Sequence, residues 1–149
     1  MGLFSKLLES AQTLHEFDVL DPNGEAITIR MRVLTPTEQL DIETAVPLPK
    51  PPVADIQRFE GVVQQIYATG DPAYLQALQN AHRRRTYMQI IQCWEETVPG
   101  DTVDEQIDNL GRLPSWTLAA LVRVIREINA LREDHVLPRP FRGNGSATE

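Results

Sequence analysis

Three histidines and a single cysteine are the side chains of this sequence best suited to catalysis or metal binding. His15, His82 and His135 lie far apart, and none stands at the short spacing that lets two ligands grip one metal ion. Cys93 adjoins Trp94 on a stretch rich in isoleucine. Such surroundings predict a buried, inert thiol, because a nucleophilic thiolate needs a cation or a helix N-terminus beside it. The sequence contains neither a glycine-rich phosphate loop nor the Gly-x-Ser-x-Gly turn of a nucleophile elbow. It therefore predicts no catalytic residue, no metal site and no cofactor: a protein that is not an enzyme.

Charged residues give two more candidates. Glu95, Glu96, Asp101, Asp104, Glu105 and Asp108 follow one another without an intervening base. Hard cations bind such clusters, but the calcium-loop spacing is absent, and a helix dipole alone favours acids in its first turn. A solvated acidic face accounts for them. Arg83, Arg84 and Arg85 form the only basic run. Three successive helical residues fan over about 200–300° and cannot make one compact patch. Either they pair with the chain's own acids, or they meet an anion or an acidic partner through bidentate contacts. The second option makes all three candidate partner-binding residues.

Composition narrows the function classes. A chain of 149 residues fits one domain, and a hydrophobic content of 42% supplies a core. The net charge of −7 argues against nucleic-acid binding, since a phosphate backbone demands a basic surface. No apolar run approaches the roughly 18 residues that span a bilayer, and the N-terminus lacks the basic flank and apolar core of a signal peptide. One cysteine excludes an internal disulfide. The expectation is a soluble, cytoplasmic protein.

The elements that would carry these residues follow from periodicity. Leu118, Leu121, Val122, Ile125, Ile128 and Leu131 recur at spacings of three and four, with Arg123, Arg126 and Glu127 opposite. That stripe predicts a core helix beginning near Pro114 and Ser115. At the other end, Leu3, Phe4, Leu7 and Leu8 make a short amphipathic helix. Its face either packs on the core or docks on a partner or a second copy of the chain. Phe17 and Val19, the turn Asp21-Pro22-Asn23-Gly24, and Ile27, Ile29, Met31 and Val33 in alternation predict a β-hairpin. Thr35 and Glu38 form a capping box for a helix running to about Val46. The prolines from Pro47 to Pro52 predict a stiff extended linker. From Ala54, Ile56, Phe59, Val63, Ile66 and Tyr67 fit one face of a helix stopped by Gly70. Asp71-Pro72 opens a helix that kinks, or leaves the core for a turn, at His82-Arg83-Arg84-Arg85. Thr102 and Glu105 cap a short helix closed by Gly111.

The fold expectation is mostly α with a small N-terminal β-hairpin (α+β), as a helical single domain. Residues 1–14 form the N-terminal amphipathic helix, 15–136 the hairpin plus helical domain, and 137–149 a disordered polar tail.

Between Phe17 and Leu131 the chain resembles the tail assembly chaperones of long-tailed bacteriophages. The resemblance lies in a hairpin ending Arg30-Met31-Arg32-Val33-Leu34-Thr35 with Pro36 and Glu38 next, and in the proline-rich break. It closes on the helical pattern of Leu113, Pro114, Leu121, Val122 and Ile125. It implies a non-catalytic role in the host cytoplasm: binding tape-measure and tail-tube proteins during tail morphogenesis and being absent from the mature virion. The family has no catalytic residues to carry over. Leu3, Phe4, Leu7 and Leu8, with the three arginines, are the candidate partner-binding residues, and self-association is a further expectation. The rival reading is a structural virion component, such as a head–tail connector or a tail-completion subunit.

Overall fold

A computed structural model describes residues 2–134, and the expected tail 137–149 lies outside them, as does His135. The elements in order are α1 (Leu3–Ser10), β1 (Leu14–Leu20), β2 (Ala26–Arg32), α2 (Pro36–Ala45), β3 (Val53–Phe59), β4 (Val62–Tyr67), α3 (Pro72–Cys93), α4 (Val103–Leu110) and α5 (Ser115–Asp134).

The first hairpin, β1–β2, turns on Asp21. Its carboxylate accepts the backbone N–H of Asn23 and of Glu25, each at 2.8 Å, and Gly24 takes the positive φ of 84° that closes the turn. His15, Phe17 and Val19 stand opposite Met31, Ile29 and Ile27, and this face turns inward, burying Met31 and Ile29. The other face is polar at its centre, between Leu14 and Leu20 at the ends of β1: Arg30 Nε donates to Glu16 at 2.9 Å and Thr28 Oγ1 to Asp18 at 2.8 Å. Residues just after α3 close the edge of β2, where Met31 bridges Trp94 and Glu95 N–H donates to the Arg30 carbonyl at 3.0 Å. No described residue pairs with the outer edge of β1.

Helices start where their caps stand. Thr35 Oγ1 accepts Glu38 N–H at 3.3 Å while the Glu38 carboxylate accepts Thr35 N–H at 3.0 Å, a complete capping box for α2. Asp71 accepts Tyr74 N–H at 3.0 Å ahead of α3, and Thr102 accepts Glu105 N–H at 3.2 Å ahead of α4. Helix α3 runs unbroken through His82–Arg85, with His82 and Arg83 exposed. The core lies between hairpin β1–β2 and helices α2, α3, α4 and α5: Met31, Ile90, Leu110, Leu121, Ile125 and Ile128 are fully buried. Leu118, Val122 and Leu131 pack against it from the flanks of α5.

The expected fold class is corrected at one element. Residues 54–70 do not form a helix; β3 and β4 make a second antiparallel hairpin, so the chain is a mixed α+β protein with hairpins at two places. Ile56, Phe59, Val63 and Ile66 satisfy a helical spacing, but the two strands hold Val53, Ile56, Val62, Val63 and Ile66, whose branched Cβ favours the pleated strand. Glu60 and Gly61 complete the argument with φ of 49° and 81°, the two positive values of a type I′ hairpin turn. Proline on both sides, at Pro52 and Pro72, bars either flanking helix from running through.

Candidate functional site

The histidines and the cysteine sit in different surroundings. His15 sits on β1 opposite Met31, His82 lies on the exposed flank of α3, and Cys93 is buried in the core without a disulfide. Among the described residues no group of three or more His, Cys, Asp or Glu side chains is gathered to hold a metal ion.

The arginine run divides three ways, as its helical fan requires. Arg84 forms an ion pair with Asp104 of α4. Arg85 turns to the end of α2, donating through Nε to the Val46 carbonyl at 2.7 Å and through Nη2 to that of Glu43 at 3.4 Å. A cationic donor on these open carbonyls offsets the negative end of the helix. Arg83 alone faces a cleft between α3 and α5. The acidic stretch thus meets one arginine of the run, through Asp104, and its Glu95 meets Arg30 at 3.5 Å.

A different arginine holds the tightest polar cluster. Arg32 grips Glu38 in a fork, Nη1 to Oε1 at 2.7 Å and Nη2 to Oε2 at 2.5 Å, and also donates to the Gln92 carbonyl at 3.1 Å. The Arg32 guanidinium holds the Glu38 carboxyl down to about 2 from the ordinary 4.5, against the opposing pull of partial burial. This cluster ties β2, α2 and α3 together. Its role is structural.

Large apolar side chains stand uncovered among the described residues. No residue of α1 is buried, and Leu3 and Phe4 are 73% and 75% exposed. Every residue of β3 and β4 is exposed, and neither strand forms a substantial contact with any element but the other. Directly paired residues share a face of a hairpin, so the register sorts its side chains. Phe59, Val62 and Ile66 stand on one face; Val53, Ile56, Val63 and Tyr67 on the other. Neither face is polar throughout. Phe59, beside the turn, is 75% exposed. Reading 54–70 as a helix hid this surface; the signal that finds it is Glu60-Gly61 between two runs of branched residues.

Among the described residues, two clefts of similar volume flank α5. One, about 640 Å³, lies between β1 and α5 over Phe17, Leu20, Trp116 and Val124, with Asp18, Arg123 and Glu127 at its margin. The other, about 610 Å³, lies between α3 and α5 and holds Arg83.

Compared with known proteins, the chain matches no family model, no curated protein and no solved structure. No described helix is long and apolar enough to cross a membrane.

Proposed function

We propose that this chain is a non-catalytic assembly chaperone of a long-tailed bacteriophage, binding tape-measure and tail-tube proteins in the host cytoplasm and leaving before the virion is complete. One observation carries the reading beyond the sequence resemblance: hairpin β3–β4 bears large apolar groups on both faces, and no other described element covers either. An isolated two-stranded hairpin is marginal in water, and each large apolar side chain it hides is worth about 1.5–3 kcal/mol. A surface of that kind is built for a partner. Helix α1 adds a second apolar strip, separate from the first in sequence. A chaperone has to shield client surface and then release it, which calls for several modest apolar contacts in place of one deep pocket. The net charge of −7 keeps loaded complexes apart by repulsion.

The test is co-expression of the phage's own tape-measure or tail-tube protein with the chain and with a triple variant, Ile56→Ser, Phe59→Ser and Val63→Ser. The expected result is an unchanged melting temperature, loss of client solubility with the variant, and no trace of the chain in purified particles. Equal client solubility with the variant overturns the hairpin as the client surface. Finding the chain in mature particles at fixed stoichiometry overturns the chaperone reading in favour of a structural virion component.

A further inference from the structure

The cleft between α3 and α5 differs in chemistry from both apolar strips. Its floor is apolar, made by Leu118 and Val122 of α5 with the ring of Tyr87 from α3. Its margin carries His82 and Arg83 from α3 and Arg126 from α5, and no carboxylate of the described residues lines it. Neither Arg83 nor Arg126 forms an ion pair or a side-chain hydrogen bond with any described residue, whereas Arg30, Arg32 and Arg84 all do. In a chain of net charge −7 acids are plentiful, yet no described one lines this cleft. Two guanidinium groups with open donors call for carboxylates from outside.

Shape narrows the occupant. The lining residues repeat at helical spacing, from Gln79 to Tyr87 on α3 and from Ser115 to Arg126 on α5. At 1.5 Å of rise per residue these stretches run about 12 and 16 Å, two to three turns of a third helix laid along the groove. A free phosphate or carboxylate would use the arginines and leave the apolar floor in water. A helix with an apolar stripe uses both. We infer that the α3–α5 cleft is a docking site for an amphipathic helix of a partner protein whose apolar stripe is flanked by Asp or Glu. The inference concerns a separate surface from hairpin β3–β4 and holds independently of the phage reading.

The probe is a fluorescent 18-residue helical peptide with leucines at i, i+3, i+4 and i+7 repeats and glutamates along one flank, compared with the same peptide carrying glutamine for glutamate. Anisotropy with the full chain in low salt is expected to show the glutamate peptide binding about five- to tenfold tighter, the difference shrinking in high salt. The double variant Arg83→Gln, Arg126→Gln is expected to erase that preference while keeping the melting temperature; Arg112→Gln, outside the cleft, is expected to keep it. Ala119→Glu, on the cleft wall, is expected to weaken both peptides. Equal binding of the two peptides, no binding of either, or a preference that survives the double variant overturns the inference. Complete displacement of the peptide by inorganic phosphate at millimolar concentration also overturns it, in favour of a small-anion site.

Discussion

Arg32 and Glu38 show how little of the polar chemistry here is set by residue type alone. Arg32 shares β2 with Arg30, yet it carries the bidentate pair with Glu38 because the capping box turns that carboxylate toward the strand. The sequence predicts the box but not the arginine, since the pair spans two elements. Because folding lowers the Glu38 pKa from 4.5 to about 2, its contribution to stability is complete above pH 4.5 and lost as pH falls toward 2. Screening at a partly exposed pair leaves about 1–2 kcal/mol at stake. Urea titrations at pH 7 and pH 2.5 are expected to show this loss, and Arg32→Gln to make the acid limb shallower by that amount. At the same scale, Ile125 is fully buried among Leu121, Val124 and Ile128. Ile125→Ala is expected to cost about 2–4 kcal/mol in urea unfolding; under about 0.5 kcal/mol would mean that this face of α5 is not a packed core.

At the scale of elements, legibility follows local self-sufficiency. The first hairpin was readable because strict alternation and the Asp21–Gly24 turn agree, and α5 because one stripe suffices to define it. Hairpin β3–β4 was not. A bulge between Val53 and Asp55 breaks its alternation, and apolar groups on both faces mimic a helical spacing. Strands that rest on no core lack the one-sided pattern from which strands are read. Helix α1 was legible as an element, while the fate of its face was not, because burial depends on what lies across from it. With none of its residues buried, deletion of residues 1–13 is expected to leave the melting temperature nearly unchanged. A sharp drop in a thermal melt would show that α1 packs on its own domain.

As a whole, the molecule sets a core of one hairpin and four helices beside two apolar elements, α1 and hairpin β3–β4, that the core does not cover. The seven large side chains of the hairpin lie outside that core; on the proposed reading, a partner buries them. The arginine run illustrates the same division of labour: Arg84 and Arg85 fasten helices to one another, and Arg83 is left for the surface. The sequence alone could name the run but not its division, which depends on where α2 and α4 fall around α3. Whether the second hairpin is a client surface is tested by hydrogen–deuterium exchange over residues 53–67, on the chain alone and on its co-purified complex with a tape-measure or tail-tube protein. Fast exchange in the free chain, within the range of an unsupported hairpin, and strong protection in the complex are expected. Protection already present in the free chain at the level of α5, or fast exchange persisting in the complex, would contradict a client surface there.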